Sequence, residues 1–93
     1  MGMKFKVYEV TRVRADRKDD YIDSFLYADY KDAVAKFKEF IEEEEKIDWI
    51  EEGLKSDDDK YTVIKGIDFW EFYVDDILDN LKSEVLIEER EVF

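Results

Sequence analysis

Residues 29–46 read DYKDAVAKFKEFIEEEEK, and this stretch decides the fold. Its apolar side chains recur at steps of three and four residues: Tyr30, Ala33, Val34, Phe37, Phe40 and Ile41. That spacing places one apolar stripe along one side of an α-helix. Asp29 is a candidate N-cap, because its carboxylate can accept hydrogen bonds from the exposed N–H groups of the first turn. The stretch therefore predicts an amphipathic helix that packs on the rest of the chain.

Four consecutive glutamates, residues 42–45, stand where this helix would end, and acid at a helix C-terminus opposes the helix dipole. Helical spacing continues at Ile47, Ile50 and Leu54, and Gly53 is a candidate C-cap residue. We therefore expect the helix either to continue to Gly53 or to break into a kinked pair of helices. In both cases the glutamate run lies exposed on or beside a helix.

The length of 93 residues predicts one domain, which we place at residues 3–93 after a cloning remnant at residues 1–2. No apolar run is long enough to span a membrane, and no secretory segment is evident. Cysteine is absent, which excludes disulfides and suits a reducing compartment. The expected localisation is therefore the cytoplasm.

The formal net charge is −12, and the acidity is concentrated in blocks. Residues 1–20 have a net charge of +2, residues 39–59 of −9 and residues 68–91 of −7. Such a surface repels nucleic acid and anionic membranes, so we expect neither as a direct partner. The predicted partner is a basic protein.

The remaining segments are rich in β-branched and aromatic residues and favour strands. The predicted strands are residues 4–14, 21–28, 61–65 and 84–93. The first two form an antiparallel hairpin, since only a short polar turn at residues 15–20 joins them. Both registers of the first strand contain apolar residues, so the pattern leaves its core face open. Residues 55–60 contain no apolar side chain and predict a loop.

Residues 69–82 fit two interpretations. Asp68 and Glu71 have the spacing of a capping box, and the apolar residues that follow fit a helix, which we favour. The alternative is a long bulged strand through Val74 with a shorter helix after it. Both interpretations give an α+β domain: an antiparallel or mixed sheet of about four strands, with one long amphipathic helix and a second, shorter one packed on one face.

Residue types that commonly carry catalysis are scarce. Histidine and cysteine are absent, no serine lies in a nucleophile motif, and the three glycines form no phosphate-binding loop. The consecutive aspartates at residues 57–59 point in different directions and lack the alternating ligands of a calcium loop. We therefore expect no enzymatic activity, no cofactor and no metal site.

The main functional signal is the acidic segment between Glu39 and Glu52. Carboxylates three or four residues apart on a helix lie about 5–6 Å from each other. Phosphates along one DNA strand have a similar spacing, roughly 7 Å. A rigid row of carboxylates can thus occupy a groove built for nucleic acid, whereas the alternative is a merely solvated helix face. Trp49 is a candidate anchor, because tryptophan is enriched at binding hot spots. The predicted partner-binding residues are Glu39, Glu42, Glu43, Glu45, Asp48, Trp49, Glu51 and Glu52.

In size, acidity and lack of catalytic residue types, the chain resembles small acidic proteins that inhibit nucleic-acid enzymes. These are the phage anti-CRISPR and anti-restriction proteins and the bacterial nuclease-immunity proteins. The resemblance covers the whole chain, carries over no individual residue, and implies an inhibitor that occupies the nucleic-acid-binding surface of a nuclease or related protein. The alternative is a structural or adaptor module. It would form a homodimer or bind a protein through a sheet edge, with residues 84–93 as the candidate edge, or through an apolar patch.

Overall fold

The computed structural model describes residues 5–15, 20–76 and 80–92, which form one five-stranded sheet with two helices on one of its faces. In chain order the elements are β1 (Phe5–Ala15), β2 (Asp20–Tyr27), α1 (Tyr30–Glu45), α2 (Asp48–Leu54), β3 (Tyr61–Lys65), β4 (Phe69–Asp75) and β5 (Asn80–Val92). The strand order is β2-β1-β5-β4-β3, and every neighbouring pair is antiparallel. The α+β class is confirmed, with one strand more than expected.

The central amphipathic segment forms a kinked pair of helices, and the continuous helix to Gly53 is wrong. Asp29 caps α1 as predicted, because its carboxylate accepts a hydrogen bond from the Lys31 backbone N–H at 2.9 Å. After α1, Ile47 adopts extended backbone angles (φ −69°, ψ 133°), which stop the helical hydrogen bonding. The chain then forms α2, which buries Ile50 against the sheet.

The predicted helix over residues 69–82 is wrong, because residues 69–75 form β4. Burial in β4 follows the period of two typical of a strand: Trp70, Phe72 and Val74 are buried. The alternative of a strand through Val74 is correct for this segment. The shorter helix expected after it includes residues 77–79, which lie outside the described residues, and β5 already begins at Asn80.

The other predicted strands lie close to their observed positions. Those at residues 4–14 and 21–28 are each shifted by one residue in the structure, and the strand at residues 61–65 is unchanged. The last strand begins four residues earlier than predicted. Most of the first predicted turn, residues 16–19, lies outside the described part of the chain.

The edge predicted at residues 84–93 for the adaptor alternative is wrong, because the described residues 84–92 belong to the central strand. Strand β5 is the central strand, paired with β1 from Phe5↔Val92 to Ala15↔Lys82 and with β4 on its other side. This arrangement depends on pairing between the two ends of the chain, which no local pattern specifies. The edge strands are β2 and β3.

The core lies between the helices and one face of the sheet. In β1 the even-numbered residues face the helices, so Val10 and Arg12 are buried, and this decides the register that the sequence pattern left open. Trp70 belongs to the core. The buried apolar cluster consists of Val10, Ala33, Phe37, Phe40, Ile50, Trp70, Phe72, Val74, Leu81, Val85 and Ile87. No described helix is long and apolar enough to cross a membrane.

Candidate functional site

Two of the four consecutive glutamates in α1 are bound by arginines of β1. Glu44 is completely buried, and its carboxylate receives two hydrogen bonds from Arg14, from Nε at 2.9 Å and from Nη2 at 2.7 Å. The hydroxyl of Ser83 on β5 donates a third at 2.8 Å. A carboxylate with three such partners is well compensated for the loss of water.

Arg12 is buried beside this pair. Its guanidinium donates to Glu43 at 2.7 Å, to Asp23 at 3.1 Å and to the Tyr21 hydroxyl at 3.0 Å, and it lies 4.2 Å from the ring centre of Phe40. Burial disfavours the charged form, but the hydrogen bonds to Asp23 and Tyr21 raise the pKa of Arg12 above its ordinary value. Arg12, Arg14, Glu43 and Glu44 together form what we call the arginine clamp. The clamp gives half of the glutamate run a role in holding α1 on the sheet.

The other predicted binding residues keep their charge near the surface. Glu39 pairs with Lys36 at 3.2 Å, and this hydrogen bond raises the pKa of the lysine. Glu51 pairs with Lys55 at 3.2 Å. Exposed pairs of this kind contribute little to stability, so a competing partner can open them. Four carboxylates make no ion pair within the described part of the chain: Glu42, Glu45, Asp48 and Glu52.

The outer surface of α1 has a mixed charge. Lys38 and Lys46 stand four residues before and after Glu42, so they lie on the same side of the helix or just beyond its end. A single row of carboxylates from Glu39 to Glu52 requires an unbroken helix, and α1 ends at Glu45. The acidic row is therefore interrupted at the junction of the two helices.

Tertiary packing gathers a denser group of carboxylates at one end of the molecule. The backbone N–H of Asp75, at the end of β4, donates to the carbonyl of Lys60 at 2.8 Å, which brings Asp75 beside the loop that follows α2. We call α2, residues 55–60 and residues 75–76 the acidic end. Its carboxylates are Asp48, Glu51, Glu52, Asp57, Asp58, Asp59, Asp75 and Asp76, and its basic residues are Lys55 and Lys60.

A shallow cleft of about 220 Å³ opens at the acidic end. It is lined by Trp49, Glu52, Lys60, Tyr61, Val74, Asp76 and Leu81. The Trp49 ring packs 5.8 Å from the Phe72 ring, and its buried Nε1 has no hydrogen-bond partner among the described residues. The Lys60 ammonium lies 5.2 Å from the centre of the Tyr61 ring and 3.8 Å from the Asp76 carboxylate. Its pKa is raised by Tyr61 and by neighbouring carboxylates. The cleft therefore already accommodates a cation between an aromatic ring and a carboxylate.

A second cleft, of about 340 Å³, lies near the start of α1. It is lined by Tyr8, Tyr30, Asp68, Ile87 and Glu89. The Tyr30 hydroxyl donates to the Asp68 carboxylate, and this hydrogen bond raises the pKa of the phenol. Such a shift holds the proton on the phenol and works against proton transfer near neutral pH. The described residues contain no group of three or more side chains suited to holding a metal ion.

The face of the sheet opposite the helices carries paired charges among apolar side chains. Glu9 accepts from Arg90 at 2.8 Å, and this bond, with one from Ser24, lowers the pKa of Glu9. Lys82 lies between Glu84 and Glu71, at 3.0 and 3.3 Å, and these carboxylates raise its pKa. Because these carboxylates have basic partners, this face is a weaker candidate than the acidic end for binding a basic protein.

The structure thus divides the predicted binding residues into two groups. Asp48, Trp49, Glu51 and Glu52 meet at the acidic end, whereas Glu39, Glu42, Glu43 and Glu45 lie on α1. The sequence reasoning missed the contribution of residues 57–59 and 75–76 to one surface. A predicted hairpin of β3 and β4 would have placed Asp75 beside Lys60. That hairpin can be predicted only if residues 69–75 are interpreted as a strand.

Comparisons with protein-family models, with curated proteins and with solved structures found no match.

Proposed function

We propose that this chain is a non-catalytic binding protein whose acidic end docks on a basic surface of a nucleic-acid-handling protein and competes there with nucleic acid. The observation that carries the proposal is the concentration of charge: the acidic end holds eight carboxylates and two basic residues, and Glu52 and Asp76 among them line the Trp49 cleft. A surface that binds phosphates with lysine and arginine attracts such a group of carboxylates.

The Trp49 cleft supplies the specific contact in this proposal. An arginine or lysine of the partner enters between the aromatic rings of Trp49 and Tyr61 and pairs with the carboxylate of Glu52. The cleft walls are held by packing against Phe72, so little conformational entropy is lost on binding. The exposed aspartates of residues 57–59 steer the approach and speed association at low salt.

The placement of acid at the helix ends supports the same proposal. Neither α1 nor α2 has a basic residue in its last turn, and both end in or near glutamates. An acid there costs about 0.3–1 kcal/mol against the helix dipole. Glu42, Glu45 and Glu52 have no ion pair within the described residues to offset that cost. A basic partner outside the chain supplies one.

The experiment is capture of proteins from a cell lysate on the immobilised chain, at low and at high salt, with double-stranded DNA as competitor. Three double reversals each change the net charge from −12 to −8. Glu52→Lys with Asp57→Lys alters the acidic end, and Glu42→Lys with Glu45→Lys alters α1. Glu88→Lys with Glu91→Lys, at the far end of β5, is the matched control.

We expect the wild type and the control to capture the same proteins at low salt and to lose them at high salt or with DNA. The Glu52/Asp57 variant should fail to capture these proteins even at low salt. Capture by the α1 variant should also fall if the binding surface extends to α1. Equal capture by the Glu52/Asp57 variant, or equal loss by the control, would contradict the proposal. Circular dichroism of each variant checks that the fold is intact.

The adaptor alternative remains a second proposal, with acidity serving solubility. Its predicted edge, residues 84–93, is the central strand and cannot serve. The sheet does have a different edge with the features that such a module needs, the outer edge of β2.

A further inference from the structure

Strand β2 is an exposed sheet edge with an unusually apolar sequence, DYIDSFLY. Ile22 and Leu26 point to the face away from the helices and are 72 % and 63 % exposed. Tyr21 and Phe25, on the helix side, are also exposed in part. No described strand pairs with the outer edge of β2, so every second residue turns its backbone N–H and C=O outward.

Three common protections of an edge strand are missing from β2. Sheet edges are commonly blunted by short length, by lysine or by proline. The opposite edge, β3, has only five residues, ends in Lys65 and is followed by Gly66. Strand β2 has eight residues and contains neither lysine nor proline. An edge of this kind pairs readily with another strand.

We propose that β2 pairs antiparallel with β2 of a second copy of the chain, in a two-fold symmetric dimer with Ser24 opposite Ser24 at the axis. The two five-stranded sheets then form one continuous sheet of ten strands. This proposal is independent of the acidic end, which lies on other elements of the chain.

The register follows from matching side chains across the axis. Directly opposite residues in an antiparallel pair point to the same face. With Ser24 on the axis, Ile22 of each copy lies opposite Leu26 of the other, so the two most exposed apolar side chains of the strand cover each other twice. On the helix side, Asp23 lies opposite Phe25, and Tyr21 lies opposite Tyr27. No like charges meet in this register.

Two neighbouring registers also place side chains of the same sheet face opposite each other, but they pair those side chains less favourably. Centring the pair on Asp23 places two carboxylates against each other and leaves Ile22 opposite Ser24. Centring it on Phe25 leaves Leu26 opposite Ser24. Only the Ser24-centred register covers both Ile22 and Leu26 with apolar partners.

Charge permits this contact despite the net charge of −12. The described residues of β1 and β2 include three acids and three bases. Asp23, in the middle of the edge, is bound by Arg12 at 3.1 Å. Lys36 of α1 lies over the Phe25 ring, 5.0 Å from its centre, so a positive charge stands above the edge strand. The β2 edge is therefore close to neutral, and a second copy of the chain meets little local repulsion there.

Cysteine cross-linking tests the register directly, because the chain has no cysteine of its own. Residues directly opposite each other have Cα atoms about 4.5–5.5 Å apart, within the range of about 4.4–6.8 Å that a disulfide accepts. Ser24→Cys is expected to form a disulfide-linked dimer under mild oxidation. Asp20→Cys is the control, since the two copies of residue 20 would be about 27 Å apart.

A mixing experiment separates this register from its neighbours. Ile22→Cys alone and Leu26→Cys alone should stay unlinked, because like residues lie about 14 Å apart. An equal mixture of the two variants should form mixed disulfides. Linkage of each variant with itself, or no linkage in the mixture, would overturn the register.

Reversible association is tested by sedimentation equilibrium of the unmodified chain, whose monomer mass is 11.3 kDa. We expect twice that mass at high concentration. Ile22→Lys with Leu26→Lys places lysine opposite lysine twice and should weaken the dimer at least about tenfold. This loss is expected even though the two lysines make the net charge of the chain less negative. Ile22→Lys with Leu26→Glu should restore association, since each introduced lysine faces a glutamate. Ile67→Lys, at an aliphatic side chain that is 86 % exposed and outside the strands, is the control for lost hydrophobicity.

A monomer at every concentration up to about 1 mM would overturn the proposal, and so would a dimer that Ser24→Cys cannot trap. If the chain is monomeric and the β2 variants abolish capture of another protein, the edge binds a foreign strand and the second copy is ruled out. Salt distinguishes this proposal from that of the acidic end. Self-association should tighten with salt, because screening reduces repulsion between two acidic chains, whereas binding to a basic partner should weaken.

Discussion

At the scale of single residues, the arginine clamp shows how one side chain changes its role with its partners. Glu44 stands among four identical residues, yet it alone of the run is buried, facing Arg14 and Ser83. Its helical position is 4 residues after Phe40 and 7 after Phe37, both buried, so the apolar stripe of α1 carries it inward. Arginines at even positions of β1 make that burial tolerable.

The clamp leads to a prediction for Glu44→Gln. The amide cannot balance the charge of Arg14, so the free energy of unfolding should fall by about 3 kcal/mol. This is the lower end of the range for a broken buried pair, because the Arg14 side chain is 24 % exposed and can recover some solvation.

Urea denaturation followed by circular dichroism measures this loss. Glu45→Gln, the next residue along, is the matched control and should change stability by less than about 0.5 kcal/mol, since Glu45 has no ion pair within the described part. Equal losses of unfolding free energy for the two substitutions would show that the burial of Glu44 does not increase its contribution to stability.

At the scale of elements, the seating of α2 on the sheet depends on one glycine. Gly53 is buried, and a Cβ at this position would meet the Phe72 ring and approach Cδ1 of Tyr61 to 2.6 Å. The missing side chain lets α2 lie close against β3 and β4. That close approach also packs Trp49 against Phe72 and so shapes the cleft at the acidic end.

Substitution of Gly53→Ala should therefore destabilise the chain, although alanine is the better helix former by about 1 kcal/mol. The Phe72 ring is buried and has little room to move, so overpacking should cost about 1–3 kcal/mol. Thermal unfolding measures the change. Gly66→Ala, where the nearest atom to an added Cβ is 3.4 Å away, should be neutral or slightly stabilising. A stable Gly53→Ala protein would contradict the close packing of α2.

At the scale of the whole molecule, the net charge of −12 is unevenly distributed. The acidic end, with eight carboxylates and two basic residues, carries half of this net charge, whereas the β1–β2 side is nearly neutral. Strands β2 and β3, the two edges of the sheet, are four interstrand spacings or about 19 Å apart, which exceeds the Debye length of about 8 Å at physiological salt. The acidic end, which lies beside β3, and the β2 edge therefore act as electrostatically independent regions.

Self-repulsion of this charge leads to a prediction for stability. Raising the salt concentration from about 0.01 M to about 0.15 M shortens the Debye length from about 30 to 8 Å and should raise the midpoint of urea denaturation. Glu52→Lys with Asp57→Lys relieves part of the repulsion, so its midpoint should depend less on salt. A midpoint that falls with salt would mean that exposed ion pairs, and not repulsion, dominate the electrostatics.

The candidate site was predictable in part. The acidic character of α2 and the presence of Trp49 within it follow from residues 48–52 alone. The inclusion of Asp75 and Asp76 did not, because it depends on antiparallel pairing of β3 with β4, and local spacing at residues 69–82 favours a helix. The ion pairs of Glu43 and Glu44 could not be predicted either, since their arginine partners are about 30 residues away in sequence.

The sequence by itself determined the α+β class, the capped amphipathic helix α1, four of the five strands and the segregation of charge, because each of these depends on neighbouring residues and their periodicity. Only the tertiary structure decided the central position of β5, the strand at Phe69–Asp75, the partners of Glu44 and the apolar edge of β2. These features arise from pairing between distant segments, where the burial of a whole face outweighs local preference.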